Sequence, residues 1–232
     1  MLMSPLVFIG AVMGRALAHV SGRFAVLAAA FLLTACATVQ NSLSTKEIEA
    51  IRIAEVDVKV TPATKIWWGN AERDFVAKVK SGETIVADLP VKKAAYGPET
   101  DDSTEEYNRI ISSPEAKQYL RDRLRGLIEQ RLQSSIVPQY QGTRDVRLEV
   151  QVVSFKIPSA VQRIAFGGMP NMGSVSVLRD MATGQELAKS DMPAVSYAGQ
   201  GITGVLVDQM FSDLEDRVMN KYINQVRLWL NG

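Results

Sequence analysis

Between residues 144 and 157 the chain alternates its side-chain character with a period of two. Val146, Leu148, Val150 and Val152 take one phase, and Arg147, Glu149 and Gln151 take the other. Successive residues of a strand point to opposite faces, so the run predicts a long strand with one face buried. The phase then flips at Val152-Val153, after which Val153, Phe155 and Ile157 carry the apolar side. A change of face within one strand is what a β-bulge produces. A strand of this kind needs an apolar cover, and the segments around it supply one.

Upstream, Ser113 is a good N-cap, Pro114 suits the first helical position, and Glu115 lies in the first turn. Ala116, Leu120, Leu124, Leu127, Ile128 and Leu132 then recur at steps of three and four, while Arg121, Asp122, Arg125 and Glu129 occupy the other side. Pro138 lies beyond the end. Downstream, residues 203–230 predict a second long helix, striped by Val207, Phe211, Leu214, Val218, Tyr222, Val226 and Trp229. Its acidic residues gather toward the start and its basic residues toward the end, as the helix dipole favours.

Between these helices, residues 173–179 predict a further strand and residues 185–190 start another, the two joined by the turn Asp180-Met181-Ala182-Thr183-Gly184. Pro193 demotes the later part of the third strand to an edge, because proline cannot donate to a ladder. Earlier in the chain, residues 52–60 alternate toward their end through Val56, Val58 and Val60 and predict another strand. Residues 70–80 predict a helix with Phe75, Val76 and Val79 as its stripe, ended by Gly82. Residues 83–112, with Pro90, Gly97, Pro98 and an acidic run, are expected to form a long loop with a helical turn in it. The expected fold is α+β: a small antiparallel sheet with two long amphipathic helices packed on one face.

The 232 residues suit one domain, or at most two, and the apolar and charged shares of 47% and 22% suit a globular one. His19 is the only histidine and Cys36 the only cysteine. One cysteine forms no disulfide within the chain. Arg15 and Arg23 precede ten apolar residues, 24–33, and then comes Leu33-Thr34-Ala35-Cys36. A basic n-region before a run of that length has the form of a signal peptide, and the run is about half of what a spanning helix needs.

The four residues ending at Cys36 resemble the lipobox of bacterial lipoproteins. The resemblance implies that the Cys36 sulfur receives a diacylglycerol and that cleavage makes Cys36 the new N-terminus. It implies residues 1–35 as a signal peptide, 36–48 as a flexible tether, and 49–232 as a single periplasmic α+β domain. Residue 37 is alanine rather than the aspartate that commonly retains such proteins at the inner membrane. For a Gram-negative host this implies a periplasm-facing, lipid-anchored protein of the outer membrane. Translation is expected to start at Met13, which places Arg15 in a normal n-region.

Cleavage would remove His19 and two of the 26 basic residues but none of the 25 acidic ones. That leaves 24 against 25, a net charge of −1. Nucleic acid is therefore not an expected partner. A mature chain without histidine or free thiol has no Ser-His-Asp triad, no Cys-His pair and no ordinary zinc site. No cofactor, metal or catalytic residue is expected. Over residues 144–232 the element order also resembles small α/β domains of envelope-assembly lipoproteins and uncharacterised lipoprotein families. Asp180, Thr183 and Gly184 are the residues that match.

Two local patterns invite a site and are better read as structure. Gly199-Gln200-Gly201-Ile202-Thr203-Gly204 has dinucleotide-loop spacing, but only 28 residues follow Gly204 and they complete no crossover. Asp101, Asp102, Glu105 and Glu106 lack the spacing of a calcium loop and read as a solvated acidic segment. Residues 167–173, glycine-rich, read as a hairpin connection. Trp67 and Trp68 are adjacent, so both are hard to bury in one core; one is expected inside and the other as a partner contact. The expected function is that of a non-enzymatic accessory or scaffold lipoprotein. It would bind another envelope component through a sheet edge or the tryptophan pair. Two alternatives are a lipid- or small-molecule-binding protein with a pocket between helices and sheet, and an enzyme working without histidine, through a serine beside a buried lysine or through paired carboxylates. Oligomeric state is left open.

Overall fold

The structure, a computed structural model, describes residues 41–87, 102–158, 170–196 and 214–232. A five-stranded sheet forms the centre. Its strands are β1 (Ile51–Lys59), β2 (Lys65–Trp68), β3 (Arg144–Ile157), β4 (Asn171–Asp180) and β5 (Glu186–Ser196). The helices are α1 (Thr45–Ala50), α2 (Gly69–Lys80), α3 (Asp102–Ile111), α4 (Pro114–Ser135) and α5 (Leu214–Asn231).

The fold is α+β as expected, but the sheet is mixed rather than purely antiparallel. The order is β1-β3-β4-β5, and β2 pairs with the far end of β3. β3, β4 and β5 are antiparallel neighbours, whereas β1 and β2 both run parallel to β3. Alternation reports which face a side chain takes and says nothing about strand direction. The parallel pairing of β1 with β3 spans a long crossover that carries α2, α3 and α4.

β3 is bulged where its phase changes. Its pairing with β4 slips between Val152 and Ser154. Val152, Phe155 and Ile157 are buried, but Val153 is half exposed. Val153 is thus the inserted residue rather than a member of the apolar row. α4 carries the cap read from sequence: the Ser113 hydroxyl accepts the Ala116 N–H at 3.1 Å, with Pro114 in the first turn. Its Leu120, Leu124, Ile128 and Leu132 are buried against the sheet. Beside them α5 buries Val218, Met219, Tyr222, Val226 and Trp229. The expected start of that helix near residue 203 lies outside the described residues.

Two further expectations change. The segment 83–112 ends in a real helix, α3, whose Ile110 is buried with Phe75, Val76 and Ala116 in a second, smaller core. The expected tether 36–48 already has structure from Asn41 on. The Asn41 amide donates to the Trp229 carbonyl. Ser44 and Glu47 then close a reciprocal capping box at the start of α1. The third strand, started by residues 185–190, runs as β5 through Pro193 to Ser196, and among the described residues it pairs with β4 alone, the edge position expected of it. Proline there is compatible with an edge strand.

Candidate functional site

The tryptophan pair sits on β2, a four-residue strand whose partner is β3. Ile66 pairs with Phe155 and Trp68 with Ile157, and these residues point toward the helices. Trp67 pairs with Lys156 and points the other way, onto the sheet face opposite α4 and α5. The two indoles therefore separate as expected: Trp68 is the internal one, fully buried, and Trp67 stays partly exposed. As a partner contact, Trp68 is corrected to a core residue.

Trp68 is held on every side. Phe155 meets its ring edge-on, with centroids 5.1 Å apart and planes at 75°. The Arg123 guanidinium lies over it at 5.1 Å from the centroid. Its indole N–H donates to Glu215 Oε2 at 3.0 Å, and its backbone N–H donates to Glu72 Oε1 at 3.2 Å. The other oxygen of Glu72 accepts the Tyr107 hydroxyl at 3.2 Å. Arg123 in turn donates to Asp74 at 2.6 Å and to the Tyr119 hydroxyl at 2.9 Å. β2, α2, α3, α4 and α5 thus meet in one polar network around a buried indole.

The electrostatics follow from burial and pairing. Burial pushes the Tyr107 hydroxyl up to about 12, and the Glu72 carboxylate reinforces it. Burial also raises Glu215, against the opposing pull of the Trp68 hydrogen bond and of Arg123. For Arg123 burial disfavours the charge, and its bonds to Asp74 and Tyr119 more than offset that. These polar groups are engaged with one another, so the network is organised to hold elements together.

Other candidates are placed as follows. Glu106 pairs with Lys80 at 3.2 Å on α3, so the acidic segment is in part a helix; Asp101 lies outside the described residues. Gly199–Gly204 positions, Cys36, and residues 167–169 also lie outside them. No group of three or more histidine, cysteine, aspartate or glutamate side chains could hold a metal among the described residues. Ser113, Ser174, Ser176 and Ser190 are buried, but no described lysine is. No described helix is long and apolar enough to cross a membrane.

Where sheet and long helices meet, the described side chains fill the space: Leu124, Ile128, Val218, Tyr222, Val226 and Trp229 have no exposure. A depression of about 500 Å³ lies instead on the outside, between the end of β1 and α4. Asp57, Lys59, Arg125 and Glu129 line it, which suits water better than an acyl chain.

The Asp-x-x-Thr-Gly turn is built as its residue types suggest. Asp180 Oδ1 accepts the Thr183 N–H at 2.7 Å and its hydroxyl at 2.9 Å, while Oδ2 accepts from Arg144 at 2.7 Å. Gly184 follows with φ of 72°, a left-handed geometry that glycine adopts freely. The bond from Arg144 and those from Thr183 hold the Asp180 carboxyl down at about 2. The signature residues therefore serve the hairpin. Comparison of the chain with protein-family models, with curated proteins and with solved structures finds no match.

Proposed function

We propose that this chain is a lipid-anchored envelope lipoprotein that acts without catalysis, as an accessory or scaffold binding another envelope component. The lipobox at Cys36 supports the anchor, and Trp67 supports the binding role. A large, partly exposed aromatic ring on an edge strand is the kind of residue that anchors protein interfaces. Among the described residues β5 pairs with β4 alone, and an edge strand of that kind supports strand addition by the same partner.

Two measurements test it. Mass spectrometry of protein purified from its own envelope is expected to find a chain beginning at Cys36 and carrying acyl groups. A Cys36→Ala variant should lose the lipid and leave the membrane fraction. Photocrosslinking from position 67 in the intact envelope is expected to capture one defined component. A Trp67→Ala chain that melts like the parent but keeps the same crosslinks from β5 would remove Trp67 from the interface. An unacylated native protein would end the lipoprotein reading altogether.

A further inference from the structure

From the Arg144 end of β3 inward, the charges that β1 and β3 carry on the sheet face away from α4 and α5 are closed by ion pairs. Arg52 pairs with Asp145 at 2.6 Å, Arg147 with Glu55 at 2.8 Å, Arg179 of β4 with Glu149 at 3.2 Å, and Lys59 with Asp57 at 3.2 Å. Beyond Lys59 the pairing stops. Lys65 lies beside Ser154, and Trp67 beside Lys156, on the same face. Lys65 is exposed and Lys156 partly so, and neither has an acidic partner among the described residues. Strand spacing puts their Cα atoms about 7 Å and about 5 Å from that of Trp67. The partly exposed indole therefore stands beside two uncompensated ammonium groups.

A surface that covers Trp67 covers these lysines with it. Taking an ammonium group out of water costs free energy that only a paired, hydrogen-bonded counter-charge returns. A neutral or basic surface seated on the indole would lose at the lysines what it gained at the ring. We infer that the component seated on Trp67 is a protein, and that it presents there an acidic segment whose carboxylates meet Lys65 and Lys156. The inference rests on the reading of Trp67 as a partner contact and adds the chemistry of what it contacts.

The neighbouring ion pairs set the width of that segment. They hold four cations and four anions and sum to zero. A broad anionic surface such as a bilayer, lying along β1 and β3, gains attraction at the Trp67 end alone. A narrow segment meets just that end. Lys65 and Lys156 lie about 8 Å apart on the diagonal, close to the roughly 7 Å between alternate residues of an extended chain. Acids at alternate positions of such a chain share one side and reach both lysines. The contact is electrostatic at an exposed site, so it forms fast and weakens as salt rises.

Carbodiimide joins an amine directly to a carboxylate that touches it and leaves guanidinium groups alone. Applied to intact envelopes holding the full-length chain, it is expected to link Lys65 and Lys156 to aspartate or glutamate side chains of one protein, the same one that photocrosslinking from position 67 captures. K65R/K156R keeps the charges, so it should lose the carbodiimide links and keep the capture from position 67. K65E/K156E should lower that capture about tenfold while melting like the parent. The links on the unaltered chain need no variant to fold. If position 67 captures a protein but neither lysine links to it, or the reversed pair captures it as well as the parent does, the inference fails and the contact at Trp67 stands. A link to a sugar carboxylate, to a lipid or to a second copy of this chain overturns it by giving a different occupant. No capture from position 67 removes the reading beneath it as well.

Discussion

At Gly142 a side chain has no room. A Cβ there would run into the Ala50 carbonyl, and the Gly142 N–H donates to the Ile51 carbonyl at 2.8 Å. Because the obstacle is backbone, it yields only by moving the Gly142 loop off the junction of α1 and β1. Gly142→Ala is expected to lower stability by about 1–3 kcal/mol, the usual cost of overpacking, read as a shift in the urea midpoint. Glu215 makes a different prediction. Its folded carboxyl is raised by burial, so its contribution is fully present below the unfolded value of about 4.3 and is lost as pH rises through the folded value. Glu215→Gln keeps an acceptor for the Trp68 indole and removes the titration. The stability of the variant relative to the parent should therefore rise between pH 4 and 7, and a flat difference would contradict the burial.

Among the elements, α4 carries both a side-chain cap and a buried stripe. Ser113→Ala removes its cap and should cost about 1 kcal/mol, whereas Ile128→Ala empties a fully buried position and should cost about 2–5 kcal/mol. Chemical denaturation of the two variants side by side checks the ranking. α4 and the β4–β5 turn were legible in the sequence because their signals are local: cap, stripe, Asp-x-x-Thr-Gly. The direction of β1 was not, since its partner Arg144–Gln151 stretch lies some 90 positions away and alternation is blind to it. β2 was missed because four residues, two of them tryptophan, establish no period. α3 was hidden by its acidic residues, which read as loop although Tyr107, Ile110 and Ile111 form a sticky side. For the tryptophans, adjacency foretold that only one would be internal. Choosing Trp68 required knowing that Phe155 and Ile157 were its neighbours.

For the whole molecule, acid is the revealing stress. Asp180, held at about 2 by Arg144 and Thr183, contributes stability above the unfolded value of about 3.9 that fades as pH falls through about 2. Thermal melts should therefore drop between pH 4 and 2, and Asp180→Asn should remove part of that drop while melting lower at neutral pH. The long strand β3 gives the molecule two poles. Asn41 and the end of α5 meet at the Arg144 pole, through the Asn41 bond to Trp229 and the Tyr140 hydroxyl bond to Asn231 at 2.8 Å. Trp67 lies at the Ile157 pole, about 40 Å away along fourteen residues of strand. A fluorescent or affinity tag fused after Gly232 would consequently ride beside the point where the polypeptide enters the domain and leave the opposite tip unobstructed.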